Sequence, residues 1–227
     1  MPESIWFRDD ARPRRPRLSR ERIVTAAVGL LGAEGVAGFS MRALAARLGA
    51  GTMSLYEYVR SKEDVLDLAL DEAIGEIGEP PADGPWRDLL TDHLVRSRAV
   101  MRRHPWMPAL IATRPLLGPN ALAGSRAIYG ALAREGLHGP ELTAAIGTLS
   151  SYLYGFVAAE NTWWATVRTP AADAELRGRV ADHLHRHEAE LGHQAHVDDG
   201  DFDTQFRLGL NLILDGLSTR LKENPRE

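Results

Sequence analysis

The chain contains no cysteine. A disulfide framework, a thiolate nucleophile and a thiolate metal site are therefore excluded. It has no run of about eighteen apolar residues, the length needed to span a bilayer. The opening stretch, MPESIWFRDDARPRRPRLSR, lacks the apolar core of a secretion signal. A cytoplasmic protein with no membrane partner is the expectation. No segment keeps a period-two alternation for long, so strands are not expected. Catalytic signatures are missing too: G-x-S-x-G, the phosphate-binding P-loop and H-E-x-x-H do not occur. Gly49-x-Gly51 follows a helical pattern and not a strand, so it is no dinucleotide loop. No enzyme is expected and no cofactor is implied. What is present is 227 residues, enough for one large or two small domains with a real core.

The net charge of −4 hides an asymmetry. Residues 1–62 hold eleven basic and six acidic side chains, and the remainder holds sixteen basic against twenty-five acidic. A basic end on an acidic body is the footprint of nucleic-acid binding by one part of a molecule. Within that end, residues 1–18 carry Pro13, Pro16 and the arginines at 12, 14, 15 and 17. Such a segment buries no core and reads as a flexible basic arm that can reach phosphates or a minor groove.

Residues 40–62, SMRALAARLGAGTMSLYEYVRSK, are the most informative stretch. Ser40 suits an N-cap, since its hydroxyl can accept from an orphan amide in the first helical turn. Met41, Leu44, Ala45 and Leu48 recur at helical spacing. Gly49 stands where a helix stops in a left-handed residue. The chain restarts at Thr52, with Leu55 and Val59 one turn apart. Two short helices joined by a glycine turn form a helix-turn-helix, whose second helix can enter a DNA major groove. That helix is predicted over 51–58, with Thr52, Met53, Ser54 and Glu57 exposed. The methyl groups of Thr and Met can meet a thymine methyl, Ser can bond several base edges, and Glu can accept from cytosine N4.

These residues also carry a resemblance. Leu48-Gly49, Ser54-Leu55-Tyr56, Tyr58-Val59 and Ser61-Lys62-Glu63-Asp64 resemble the DNA-binding end of the TetR (tetracycline-repressor) family over residues 19–70. The resemblance implies phosphate contacts from Tyr56 and Lys62, and phosphate or base contacts from Ser40 and Arg42. One helix reads only a short message, so a dimer on a palindromic duplex is expected on physical grounds as well.

Along the chain, a first helix is predicted from Ser19 to Glu34, ended by Gly35. Ser61-x-x-Asp64 fits a capping box opening a fourth helix that runs towards Gly78. GEPPADGP, residues 78–85, reads as a linker. Further helices are predicted near 86–103, 105–112, 119–135, 140–167, 171–191 and 202–222, with a polar loop at 193–201. The fold class is all-α. The division is a basic arm at 1–18, a helix-turn-helix domain at 19–66 and a helical ligand-binding and dimerisation domain at 67–227.

FRLGLNLILDGLSTRL, late in the chain, resembles the last helix of the tetracycline-repressor-like subgroup. The resemblance implies a homodimer through a four-helix bundle made by 140–167 and 202–222, with Leu149, Leu153, Phe206, Leu210, Ile213 and Leu217 at its interface. It also implies a small-molecule effector. Tyr152, Phe156, Trp163 and Trp164 share a helix with Glu160 and Asn161, while His104, Trp106 and Tyr129 come earlier. Apolar walls with a few polar groups suit a small-molecule site, and these nine residues are the candidate lining, with one of the two adjacent tryptophans facing inward. His183 and His187 have the i, i+4 spacing of metal ligands, but a solvated polar face is the reading adopted and no metal is expected. The whole describes a ligand-released repressor of an adjacent efflux or catabolic gene. A DNA-binding regulator without a ligand, and an enzyme on a helical scaffold, stay open.

Overall fold

The computed structural model describes residues 18–81, 84–167, 169–187 and 201–223. Every regular element among them is a helix: α1 (Arg20–Gly38), α2 (Met41–Leu48), α3 (Thr52–Leu55), α4 (Lys62–Gly75), α5 (Trp86–Arg103), α6 (Met107–Ile111), α7 (Pro119–Arg134), α8 (Gly139–Thr166), α9 (Pro170–Arg186) and α10 (Phe202–Glu223). The chain forms two compact units that divide between Ala69 and Leu70, inside α4. The basic arm and the 193–201 loop lie essentially outside the described residues.

In the first unit, Ser19 caps α1 by accepting from the Arg22 amide at 3.3 Å. Ile23, Ala27 and Leu31 form its inner stripe and are fully or almost fully buried. Gly35 breaks the helical path with φ 65°, as expected, but one further turn follows to Gly38. Ser40 caps α2 through the Ala43 amide at 3.1 Å. Gly49 then takes φ 62°, and its N–H reaches back to the carbonyls of Ala45 and Ala46. That left-handed residue turns the chain into α3 with little strain, since it has no Cβ.

α3 is half as long as predicted. Only four residues are helical, and 56–58 continue as a turn. Gly51 gives it no side-chain cap and Leu55 is its one buried residue, so little packing supports a longer helix, and short helices are marginal without it. The capping box at α4 forms as read: the Asp64 amide donates to Ser61 Oγ at 3.0 Å, and Ser61 Oγ donates to Asp64 Oδ1 at 2.8 Å. The bonds from Ser61 and the Arg60 amide hold the Asp64 carboxyl below the usual carboxylate range.

The second unit is built on stripes at i, i+4. Ala145, Leu149, Leu153 and Val157 of α8 and Phe206, Leu210 and Leu214 of α10 are buried, together with Leu90, Leu94 and Met101 of α5. Helical neighbours four apart share one face, so each stripe is a single packing ridge. A polar knot ties the three helices. Arg98 of α5 donates twice to Glu160 of α8, at 2.7 and 2.8 Å, and once to Asp203 of α10 at 2.6 Å. Its guanidinium also lies over the rings of Phe156 and Phe206. Burial opposes the Arg98 charge, and the bonds from Glu160 and Asp203 outweigh it. Gly209 permits a close approach here: a Cβ would stand 2.3 Å from the Tyr152 hydroxyl, which donates to the Phe206 carbonyl at 2.9 Å.

Candidate DNA interface and ligand cavity

The helix-turn-helix brings most of the expected DNA contacts to the surface. Met53 is 78% exposed, Tyr56, Glu57 and Arg42 are exposed, and Thr52, Ser54 and Lys62 are half-buried. Leu55 is buried and holds the hairpin together. Lys62 Nζ stands 5.7 Å from the Phe39 ring centroid, an aromatic shelf that positions its ammonium. Ser40 Oγ spends an acceptor site on the α2 cap, which leaves its proton for a phosphate. Arg47 and Tyr58, to which the sequence reading gave no DNA contact, are exposed as well. Arg47 packs against Gly29, where a Cβ would lie 2.9 Å from the guanidinium.

In the second unit a partly open cavity of about 130 Å³ lies among α5, α7, α8 and the end of α4. Its lining is apolar apart from His93, Ser97, Asn120, Ser125, Ser150 and the hydroxyls of Tyr129 and Tyr154, and contains no Asp, Glu, Lys or Arg. His93 Nδ1 is buried without a hydrogen-bond partner. Burial, with help from the nearby Arg96 charge, pushes the His93 pKa down to about 4, so the ring is neutral at physiological pH. Burial likewise pushes the Tyr154 hydroxyl up. The cavity is a neutral site, fit for an uncharged and largely apolar guest.

Of the nine residues expected to line a ligand site, only Tyr129 lines this cavity. The other eight lie elsewhere in the same unit. Glu160 is fully buried in the Arg98 knot, with Arg102 at 3.2 Å. Tyr152 and Phe156 pack on Phe206. Asn161 donates to the Met101 carbonyl. Trp163 donates to Asp173 at 2.7 Å under the Arg177 guanidinium, and Trp164 is partly exposed beside Phe202. His104 pairs with Glu76 at 2.8 Å, and Trp106 is buried edge-on to it. Large rings fill space, whereas the cavity lies where Gly124, Ser97, Ser125 and Ser150 leave it. A cluster of small residues on facing helices is the signal that would have located it.

Leu149, Leu153, Phe206 and Leu210 are buried within their own chain, and Leu149 and Leu153 line the cavity. Ile213 and Leu217 are half-buried. The period fixed one ridge per helix, and that ridge is used by the unit's own core. Outward of it, α10 presents Leu208 and Leu212, 59% and 75% exposed, and α8 presents Gly147, Ser151, Gly155, Ala158 and Ala159. By length and composition alone α8 could cross a membrane, and only 22% of its most apolar stretch is buried. Among the described residues no group of three or more metal-ligating side chains comes together. The His183 and His187 rings meet at a tilt, with centroids 4.8 Å apart.

Residues 23–69 match the model for bacterial regulatory proteins of the tetR family, and residues 79–221 match that for the tetracyclin repressor-like C-terminal domain. The chain belongs to the TetR family. An HTH-type transcriptional regulator of Saccharopolyspora erythraea is 41% identical over 96% of this chain and 92% of its own. The HTH-type transcriptional repressor DrrR1 of Streptomyces coeruleorubidus is 37% identical over 99% and 87%. Among solved structures, apo ActR of Streptomyces coelicolor superposes with a TM-score of 0.78 at 28% identity, covering 92% of this chain and 99% of ActR. ActR in complex with actinorhodin gives 0.78 at 27%, covering 91% and 99%. As a TetR-family member the chain is an all-α, DNA-binding transcriptional regulator.

Proposed function

We propose that this regulator is a homodimeric repressor of an adjacent efflux or catabolic gene, acting in the cytoplasm, and that an uncharged, ring-containing small molecule entering the α5–α7–α8 cavity releases it from a palindromic operator. The observation that carries the reading is the cavity itself, wholly within the second unit and walled without a single charged side chain. An engineered cavity of about 150 Å³ takes up benzene. A volume of about 130 Å³ therefore holds about one ring as it stands. A larger effector enters only by moving a wall, and a ligand that binds one conformation better shifts the population towards it. Coupling of about 1–3 kcal/mol, usual for allostery, alters operator affinity about 5–150-fold.

The dimer is assigned to the outward faces of α8 and α10. Small side chains on one and exposed leucines on the other allow close helix approach, and an apolar surface of this kind calls for a partner. Two α3 helices, with Thr52, Met53, Ser54 and Glu57 towards bases and Tyr56, Lys62, Ser40 and Arg42 towards phosphates, then read two half-sites. The test is a titration of operator-bound protein, the operator being selected from pooled duplexes. Uncharged compounds of about one ring are the first probes, followed by larger uncharged ring systems. Release should track cavity binding measured by calorimetry, and Ala121→Phe, which fills the cavity, should abolish the binding heat and leave operator binding weakened and unresponsive to added ligand. Binding heat with no change in operator affinity would instead favour a regulator that does not use this cavity as a switch.

A further inference from the structure

α7 starts without a cap of its own. Gly118 stands at the N-cap and has no side chain to offer, and Pro119 follows. The missing acceptor comes from another helix. Asp71 of α4, 9% exposed, accepts from the Ala121 amide through Oδ1 at 3.0 Å and from the Asn120 amide through Oδ2 at 3.3 Å. Those are the amides at the second and third positions of α7, the pair an N-cap side chain ordinarily satisfies. The carboxylate also meets the positive end of the α7 dipole. Asn120 closes the join: its Nδ2 donates to both the Asp71 carbonyl at 3.0 Å and Oδ2 at 3.2 Å.

Two glycines make this approach sterically feasible. A Cβ on Gly118 would lie 2.2 Å from the Asp71 carboxyl carbon, and one on Gly75 would lie 2.9 Å from Asn120 Nδ2. The join also borders the cavity from both sides. Ile74 and Ile77, just past Asp71, line it, and so do Asn120, Ala121 and Gly124 of α7. Asp71 thus ties a wall of the cavity to α4, and the first turns of α4 belong to the DNA-binding unit.

The geometry points to Asp71 as the positioning residue that couples the cavity to the DNA-binding unit, by making the start of α7 and the end of α4 move together. The inference rests on the cavity reading above and adds the residue through which occupancy is transmitted. Ile74 and Ile77 touch the cavity too, yet van der Waals contact only pushes. A carboxylate held by three hydrogen bonds, with a fourth to its own main-chain carbonyl, both pushes and pulls, so it passes on displacement of α7 in either direction.

The test needs no identified effector, because a side chain can occupy the cavity. Gly124→Leu on α7 places an isobutyl group in it. Operator affinity is measured by anisotropy for wild type, Gly124→Leu, Asp71→Ala and the double variant, with thermal melts to confirm folding. Gly124→Leu should weaken operator binding about 10-fold, within the usual range of allosteric coupling. Asp71→Ala should bind operator within about 3-fold of wild type, and adding Gly124→Leu to it should cost less than about 2-fold, because the contact that couples the two sites is gone. Asp71→Asn keeps the volume and one acceptor, and serves if the alanine variant does not fold. Gly118→Ala, which drives a methyl group into the carboxylate, should uncouple in the same way. An equal loss from Gly124→Leu in both backgrounds overturns the role of Asp71 while leaving the cavity reading standing. No loss in either background, with the variants folded, overturns both.

Discussion

Glu160→Ala should be among the most destabilising single changes in the second unit. Glu160 is fully buried, and its two oxygens receive both halves of the Arg98 fork at 2.7 and 2.8 Å. Truncation leaves Arg98, itself 6% exposed, with Asp203 as its remaining carboxylate. Breaking a buried pair from one side costs about 3–5 kcal/mol, because the surviving charge stays desolvated. The bond to Asp203 offsets part of this, and the lost methylene adds about 1 kcal/mol of transfer and cavity cost. The expected loss is about 3–4 kcal/mol, or roughly 6–16 °C in Tm for a unit of this size. Glu160→Gln keeps the volume and one acceptor oxygen and should lose about 2 kcal/mol. Replacing both partners, Arg98→Met with Glu160→Met, should recover most of the loss, since apolar isosteres of buried pairs are often neutral. Urea unfolding followed by tryptophan fluorescence gives the values. A loss under about 1 kcal/mol for Glu160→Ala would refute the reasoning, and would mean that water reaches the guanidinium once the carboxylate is gone.

Lys62→Ala should weaken binding to all operator variants alike and flatten the slope of log affinity against log salt by about one unit, as a lost phosphate contact does; a changed base preference would place Lys62 on a base instead. His93 stays neutral in the folded protein down to about pH 4 while the unfolded chain takes up its proton below 6.5. Stability therefore falls as pH drops through that window, by at most about 3 kcal/mol, and His93→Asn should flatten the fall in acid-unfolding curves; an unchanged pH profile would show that the ring is solvated. Leu212→Glu, on the outward face of α10, should give monomers of normal Tm by light scattering and melting, since a lone charge buried at an interface is strongly unfavourable. A dimer of unchanged mass would put the interface elsewhere.

Local signals read well from the sequence. The left-handed Gly49, the Ser19, Ser40 and Ser61 caps and the α5, α7, α8 and α10 spans follow from rules acting over four or five residues. α3 was overextended because its exposed side chains carry helical spacing without the packing that sustains a helix. The cavity was missed because periodicity reports which face is apolar and not whether facing side chains meet. Phe156, Trp163 and Tyr152 meet partners on α9 and α10 and are used up as core. The Arg98–Glu160 pair joins positions 62 residues apart, and no local pattern announces it. Asp71 capping α7 across 50 residues is hidden in the same way.

The measurement closest to the central claim is selection of bound sequences from a pool of random duplexes at physiological salt, repeated with Thr52→Ala and Ser54→Ala. The wild-type protein should enrich a palindrome of two half-sites, with two chains on each duplex, and the two variants should enrich altered bases within the half-sites at little cost in phosphate-driven affinity. Enrichment of no sequence by the wild type, or of one unchanged sequence by all three proteins, would contradict recognition through α3.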